Sequence, residues 1–245
     1  MNIKEKINAI LQKNPSCGVL IAADDGSVKF EHNSETAFPS ASVIKLYIMS
    51  YYLDRKMPLD TVIPYDKSCY VDYSVIKELD LCGLTLSELL TLMIASSDNT
   101  ATNILIDHAG MEAINDYIQS ALNAKNTALR RRMLDYEAIK RGLDNYTCAY
   151  DTVMLLKRLS QNPAAMDILG RQKCADRLMR YIYSGVAFYG KAGEIPHVFN
   201  DAGILKTKKE TAFAAVLTNH VNFNTAAVLC GLCGLLAVGS ENAVY

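Results

Sequence analysis

Three short polar segments of the chain contain the side chains that acyl transfer needs: serine hydroxyls, lysine amines and an asparagine amide. In chain order they are Ser42-Val43-Ile44-Lys45, Ser97-Asp98-Asn99 and Lys191-Ala192-Gly193. A serine can attack a carbonyl carbon when a nearby base takes its proton, and the other polar groups can hold the substrate. Together the three segments predict an acyl-transfer site with a serine nucleophile.

The first segment places a serine and a lysine on one face of a helix. Ser42 and Lys45 are three residues apart, and Pro39 with Ser40 marks a helix start just before them. Residues 46–53 are mostly apolar, so this helix should be buried. A buried lysine needs either a carboxylate partner or a lowered pKa, and a neutral Lys45 amine is the base that Ser42 would need.

The same four letters occur a second time, in Ser74-Val75-Ile76-Lys77. This copy is followed by Glu78 and Asp80 and lacks the long apolar helix. A Ser-x-x-Lys pattern is expected about once by chance in a chain of this size. We therefore interpret Ser74 as a surface serine and Ser42 as the candidate nucleophile.

The second segment lies between two predicted helices. Its simplest interpretation is structural, because serine, aspartate and asparagine are common helix N-caps. In a functional interpretation, Ser97 relays a proton, Asn99 holds a substrate amide and Asp98 braces the loop. The spacing is compatible with both interpretations.

The third segment falls within a predicted strand. Lys191 can be an edge-strand lysine beside a glycine that permits close packing. It can equally offer a positive charge to a substrate carboxylate, while Gly193 lets a ligand pair with the strand backbone. Both interpretations stay open at this point.

The elements that position these segments are strands at both ends of the chain and helices between them. An apolar run at 17–23 and the segment 27–31 flank an Asp-Gly turn, which predicts a hairpin. Residues 41–182 have helical periodicity, including a capping box at Thr85 and Glu88. Further strands are predicted at 186–194, 200–206 and 211–218, followed by a helix rich in small residues at 224–238.

This order predicts an α/β fold in which an antiparallel sheet of about five strands is flanked by helices, with an all-helical lobe inserted midway. Residues 1–40 and 183–245 would form the α/β lobe, and residues 41–182 the helical lobe. The active site would then lie in the cleft between the two lobes.

The composition is that of an ordinary globular domain and argues against several function classes. Of the 245 residues, 50% are apolar and 21% charged, with 25 basic against 26 acidic residues, so no net field attracts nucleic acid or an anionic membrane. The longest apolar run, 225–238, is too short to cross a bilayer, and residues 1–16 contain no continuous hydrophobic stretch. We expect a cytoplasmic protein that acts on a small molecule.

The cysteines and histidines form no recognisable metal or redox site. Seven cysteines are an odd set without a compact framework, which suits a reducing compartment. Cys230 and Cys233 have the spacing of a redox dithiol but lie in an apolar helix, so core packing is favoured. The four histidines are scattered, and we expect no metal and no cofactor.

With these motifs in this order, the sequence resembles the penicillin-recognising serine hydrolases, and most closely the class A β-lactamases. The signature of that family is Ser-x-x-Lys, Ser-Asp-Asn and Lys-Thr-Gly. The surroundings agree, because Phe38-Pro39 precedes the serine and Ala214-Ala215-Val216-Leu217-Thr218-Asn219 fills the last predicted strand. The resemblance spans almost the whole chain and implies the β-lactamase fold and the opening of β-lactam rings.

The resemblance implies a role for each residue of the site. Ser42 would attack the carbonyl and form an acyl-enzyme, Lys45 would accept its proton directly or through water, and Ser97 would protonate the leaving nitrogen. Asn99 would hold the substrate side-chain amide, and Lys191 would attract the substrate carboxylate.

The chain departs from the family pattern around the third segment. Ala192 replaces the family's threonine, which removes a hydroxyl expected to bind the substrate carboxylate. The oxyanion hole would be formed by the backbone N–H groups of Ser42 and Glu194, the residue after Gly193.

The second departure concerns deacylation, for which the family uses a glutamate followed by a Leu-Asn pair. Here Glu137 is the candidate, but no such pair follows it, and a surface glutamate on a helix is the alternative. If Glu137 cannot position a water, the acyl-enzyme would persist and the protein would behave as a penicillin-binding protein. An esterase or peptidase, and a non-catalytic ligand-binding homologue, are the remaining alternatives.

Overall fold

The computed structural model describes residues 1–79 and 81–239. Its helices are α1 Ile3–Lys13, α2 Lys45–Asp54, α3 Leu86–Ala95, α4 Asn99–Ala109, α5 Met111–Ser120, α6 Tyr136–Lys140, α7 Ala149–Leu159, α8 Pro163–Leu169 and α9 Phe223–Ala237. Its strands are β1 Cys17–Ala23, β2 Val28–His32, β3 Phe38–Pro39, β4 Val62–Pro64, β5 Gly83–Thr85, β6 Tyr146–Thr147, β7 Ala187–Ile195, β8 Val198–Lys206 and β9 Thr211–Thr218.

The long strands form one antiparallel sheet of five strands in the order β2-β1-β9-β8-β7. Strand β7, which carries the third polar segment, forms one edge of this sheet, with Ala192 opposite Asp201 and Gly193 opposite Asn200. The antiparallel sheet flanked by helices confirms the fold class predicted from the sequence.

Alternate residues of β1 face two hydrophobic clusters on opposite sides of the sheet. Val19 and Ile21 belong to the cluster formed with α1 and α9, whereas Leu20 and Ala22 belong to the cluster formed with α2, α3 and α7. Successive side chains of a strand point to opposite faces, so one apolar strand contributes to both clusters. The helix that follows Ser42 is thus packed in the same core as the sheet.

Small residues let α9 pack closely against its neighbours. A methyl group added to Gly234 would overlap the Leu178 carbonyl, and one added to Gly231 would lie 2.6 Å from the Tyr181 ring. Cys230 and Cys233 are free thiols that are completely buried in the same cluster. Burial raises the pKa of both thiols well above the ordinary value. Their surroundings are those of core residues.

Helix α1 is absent from the sequence-based prediction. Asn2 and Glu5 form a capping box at its start, and Ile3, Ile7 and Leu11 recur on its buried face. These residues are the signal that could have located the helix, because apolar residues spaced four apart line one helical face.

The middle of the chain is mostly helical, as predicted, but short strands interrupt it. Strand β4 pairs with β5, and β6 pairs with β3, which precedes the helical region. The division into two lobes stays a prediction, and residues 240–245 of the predicted terminal lobe lie outside the described residues. Across residues 1–79 and 81–239, every helix is too short or too polar to cross a bilayer.

Candidate active site

Ser42 lies in a 3-10 turn, Ala41–Ile44, immediately before α2. Neighbouring segments hold this turn from two sides. Ser40 N donates to the Asn145 carbonyl at 2.8 Å, and Asn200 Nδ2 on β8 donates to the Ser40 carbonyl at 3.2 Å. The position of the serine hydroxyl therefore depends on both the sheet and the loop that precedes α7.

Lys45 is completely buried at the first residue of α2. Its Nζ donates to Ser97 O at 2.7 Å, to Ser97 Oγ at 3.1 Å and to Asn99 Oδ1 at 2.9 Å. Burial, with a smaller contribution from the positive charge of Lys191, holds the pKa of Lys45 well below its usual value. Among the described residues no carboxylate pairs with this lysine, and three neutral oxygen acceptors surround its Nζ instead.

The Ser97 hydroxyl lies between the two lysines and the candidate nucleophile. It accepts hydrogen bonds from Lys45 Nζ and from Lys191 Nζ, both at 3.1 Å, and donates to Ser42 Oγ at 3.0 Å. Among the hydrogen bonds of the described residues, none joins Lys45 Nζ to Ser42 Oγ directly. The structure therefore connects the amine to the nucleophile through a serine hydroxyl.

Ser97 adopts an unusual backbone conformation that positions this hydroxyl. Its φ of +57° lies in the left-handed region, which costs a residue with a side chain about 1 kcal/mol or more. The next residue, Asp98, is buried and caps α4 by accepting from Ala101 N at 2.8 Å. A helix cap therefore fixes the turn, and the strained residue places its side chain toward Ser42.

Asp98 also holds the segment that repeats the Ser-x-x-Lys pattern. Its Oδ2 accepts from Val75 N at 2.6 Å and from Ile76 N at 3.3 Å, so the carboxylate ties this neighbouring segment to the start of α4. Lys77 pairs with Asp72 at 2.9 Å on the surface. The lysine of the repeated pattern is thus engaged elsewhere; Asp80, which follows it, lies outside the described residues.

Lys191 is 3% exposed and points from β7 to the same hydroxyl group. Besides its bond to Ser97 Oγ, its Nζ donates to the Ala192 carbonyl at 2.7 Å. Burial lowers the pKa of Lys191 to about 8, and the nearby Cys174 and Asp201 partly oppose this shift. Lys191 is therefore not an ordinary edge-strand lysine that faces solvent.

Gly193 permits the close approach of β7 to the turn that carries the serine. A Cβ at this position would lie 2.9 Å from Ser42 N, 3.0 Å from Ser40 O and 3.1 Å from Val43 N. These atoms are all backbone, so no side chain could move aside to make room. The glycine of the third segment serves the packing of the strand against the nucleophile turn.

Two charged residues beside this strand are missing from the sequence-based prediction. Arg177 is buried, and its Nη1 donates to the carbonyls of Gly193 and Asn200 at 3.0 and 2.8 Å. Asp201 is buried on β8, accepts from Leu178 N at 3.0 Å, and has its pKa raised by burial to about 6. Arg177 lies in an irregular segment and has no local pattern that could have identified it.

The contacts of Glu137 do not connect it to Ser42, Lys45 or Ser97. Its carboxylate is 71% exposed and pairs with Lys140 at 2.7 Å on α6. Met133 is one of the buried side chains in this loop, and its backbone N–H and C=O bond to the Asn103 side chain at 2.8 and 3.2 Å. The surroundings of Glu137 are those of the alternative interpretation, a surface glutamate on a helix.

The described residues do not assemble a metal site. Nowhere in residues 1–79 and 81–239 do three or more His, Cys, Asp or Glu side chains come together in a way that could hold an ion.

Comparison with known proteins identifies the family. The model of the beta-lactamase enzyme family matches residues 2–237, almost the whole chain. The chain belongs to the beta-lactamase enzyme family. This membership confirms the resemblance that the three polar segments predict.

Curated relatives and solved structures support the same membership. This beta-lactamase family chain is 30% identical to a beta-lactamase of Bacteroides uniformis over 128 residues, 47% of this chain and 43% of the relative. It is also 30% identical to a D-alanyl-D-alanine endopeptidase of Pseudomonas aeruginosa over 159 residues, 62% of this chain and 50% of the relative. The chain thus spans about half the length of the curated relatives it matches.

Solved structures of the beta-lactamase family share the whole fold. The crystal structure of a beta-lactamase from Sphaerobacter thermophilus superposes with a TM-score of 0.83 at 25% identity and covers 98% of each chain. A beta-lactamase from Chitinophaga pinensis superposes with a TM-score of 0.88 at 22% identity, covering 98% of this chain and 99% of that chain.

Proposed function

We propose that this protein is a serine hydrolase that β-lactams or related amides and esters acylate on Ser42. The observation that carries the proposal is the partly buried path from Lys45 Nζ through Ser97 Oγ to Ser42 Oγ, with steps of 3.1 and 3.0 Å. A hydroxyl becomes a strong nucleophile when a base removes its proton, and a lysine amine is a base only when it is uncharged. Burial of Lys45 favours that uncharged state.

Acylation begins when Ser42 Oγ attacks the carbonyl carbon of the substrate. When Lys45 is uncharged its lone pair accepts from Ser97 Oγ, and Ser97 Oγ accepts from Ser42, the reverse of the donation by a charged lysine. The Ser42 proton passes to Ser97 Oγ and the Ser97 proton passes to Lys45 Nζ, so the lysine gains a positive charge as the carbonyl oxygen gains a negative one. When the carbon–nitrogen bond breaks, Ser97 protonates the leaving nitrogen and recovers a proton from Lys45. The product is an ester on Ser42, with Lys45 neutral again.

The negative carbonyl oxygen requires donors that are already in place. We assign this role to the backbone N–H groups of Ser42 and Glu194, which belong to the two segments that Gly193 allows to touch. One such donor is worth about 3 kcal/mol in the transition state. In the same scheme Asn99 holds a substrate amide, and Lys191 offers a positive charge at the edge strand.

We propose that deacylation is the slow step. Hydrolysis of the Ser42 ester requires a base that positions a water, and Glu137 points to solvent beside Lys140. The loop between residues 130 and 145 presents the apolar Met133 to the core instead. The acyl-enzyme should therefore persist for longer than it takes to form.

Incubation with a chromogenic cephalosporin, followed by intact-mass measurement, tests this function. The proposal predicts rapid addition of one acyl group per chain in the wild-type protein and none in the Ser42→Ala variant. Many turnovers before the adduct is seen would show that deacylation is fast. If neither a colour change nor an adduct appears, the protein is a non-catalytic relative that binds ligands in this site.

A further inference from the structure

Arg177 is a buried cation beside the strand that carries Lys191. Its side chain is 4% exposed, and its Nη1 is occupied by the carbonyls of Gly193 and Asn200. Its Nη2 pairs with the Glu194 carboxylate. A guanidinium is the side chain best suited to hold a carboxylate by paired hydrogen bonds. The buried arginine is therefore an anion-binding group with two carboxylates of its own chain beside it, Glu194 at Nη2 and Asp176, whose Oδ1 lies 3.8 Å from Nε.

The Glu194 carboxylate reaches this arginine from the solvent side. The glutamate side chain is 58% exposed, and the residue directly follows Gly193, which contacts the Ser42 turn. A carboxylate that arrives from solution beside Ser42 and approaches Arg177 would find this position taken. It would also meet a like charge within a few ångströms, which is unfavourable even where solvent weakens the interaction.

The other groups at this edge do not compensate for that repulsion. Lys191 is a second cation at this edge, and its Nζ already donates to Ser97 Oγ and to the Ala192 carbonyl. Ala192 has no hydroxyl to donate to a ligand. The anionic side chain thus stands where a substrate carboxylate would need a free donor.

We propose that Glu194 is a specificity-determining residue. Its carboxylate fills the anion position on Arg177 and makes the site prefer amides and esters that are uncharged or cationic beside the scissile bond over those that carry a carboxylate there. This inference rests on the proposed acylation of Ser42 and names the substrate class of that reaction.

A pair of substrates that differ only in this charge tests the inference. The probes are a chromogenic cephalosporin and its methyl ester, and the measured quantity is the ratio of their kcat/KM values for acylation of Ser42. Glu194→Gln keeps the size of the side chain and removes its charge. We expect the ratio of carboxylate to methyl ester to rise about tenfold in this variant, which corresponds to about 1.4 kcal/mol.

A matched control removes a carboxylate from another arginine pair. Asp167 on α8 pairs with Arg171, two residues beyond the end of that helix, at 2.7 Å, and both side chains are exposed. Asp167→Asn changes the net charge as Glu194→Gln does, and it should leave the substrate ratio within twofold of the wild-type value. Glu194→Ala provides a second variant if the glutamine variant does not fold, and we expect the same direction of change.

The outcomes separate this inference from the proposed function. If Glu194 had only a structural role, Glu194→Gln would change the kcat/KM values of the two probes by the same factor. An unchanged or lowered ratio in this variant, with Ser42 still acylated, therefore overturns the inference and leaves the proposed function standing. A ratio that rises equally in Asp167→Asn also overturns it, because the effect would then come from net charge. If neither probe acylates Ser42 in the wild-type protein, the proposed function fails and the inference fails with it.

Discussion

The close contact between β7 and the nucleophile turn can be tested by adding one methyl group. Gly193→Ala would place a Cβ 2.9 Å from Ser42 N, where ordinary contacts begin at 3.4 Å. Because the neighbouring atoms are backbone, the turn and the strand have to separate by about 0.5 Å. Protein cores are packed too tightly to absorb such a change by compression alone.

The size of the effect follows from this displacement. Ser42 Oγ and Ser97 Oγ are 3.0 Å apart, and withdrawal of the turn would stretch this hydrogen bond toward the limit at which it is lost. A misplacement of 1 Å in a reacting group can cost about 100-fold in rate, so we expect acylation to slow about tenfold. Overpacking should also lower the free energy of unfolding by about 1–3 kcal/mol.

The assay is the rate of Ser42 acylation by intact mass, with thermal unfolding measured on the same samples. Gly203→Ala on β8 is the control, because its methyl group would meet the Phe188 ring and the Tyr189 carbonyl, the latter at 3.0 Å. The control should lose stability and keep its acylation rate within a factor of two or so of wild type. A Gly193→Ala protein that is destabilised but acylates at the wild-type rate would refute the reasoning.

Three further predictions concern the polar groups. Ser97→Ala and Ser97→Gly should each slow acylation about 100-fold, because both remove the relay hydroxyl, and wild-type rates would contradict the relay. In denaturant unfolding the glycine variant should be more stable than the alanine variant by about 1 kcal/mol, since φ is positive at this residue. For a carboxylate substrate, kcat/KM should rise with pH as Lys45 loses its proton and fall as pH passes about 8, where Lys191 loses its charge. The fall should be weaker for the methyl ester, and a kcat/KM that does not change with pH is incompatible with these roles. Ala192→Thr should lower the KM of the carboxylate substrate about fivefold through one added hydrogen bond, and an unchanged KM would remove that explanation.

Much of the fold could be predicted because its signals are local. The Asp-Gly turn after an apolar run locates the hairpin at the start of the sheet, and the capping box at Thr85 and Glu88 locates α3. The short strands β4 to β6 escaped prediction because two or three residues leave no periodicity. Helix α1 escaped because its buried face consists of isolated apolar residues among charges.

The site could be predicted only where its residues belong to short contiguous sequence motifs. Ser42, Lys45, Ser97 and Lys191 stand in short motifs, and the structure brings all four together. The contact between Arg177 and Glu194 joins an irregular segment to a strand, so it depends on tertiary packing that sequence spacing does not encode.

Glu137 is a residue that sequence motifs suggested for the site but that the structure places on the surface. A glutamate between the second and third motifs is suitable in type and order, but whether it faces the core depends on how the loop folds. In the structure Asn103 holds the backbone of Met133, and Glu137 lies on the exposed side of a short helix. One residue of offset on such a helix turns a side chain by about 100°.

The most direct test of the central claim is a peptide map of the acylated protein. Benzylpenicillin and its uncharged methyl ester, each incubated briefly with the wild-type chain before proteolysis, should leave the acyl group on the peptide that contains Ser42. The label should disappear in Ser42→Ala and form far more slowly in Lys45→Ala. An acyl group on the Ser74 peptide, or one that persists in Ser42→Ala, would contradict the claim that the buried Lys45 amine activates Ser42.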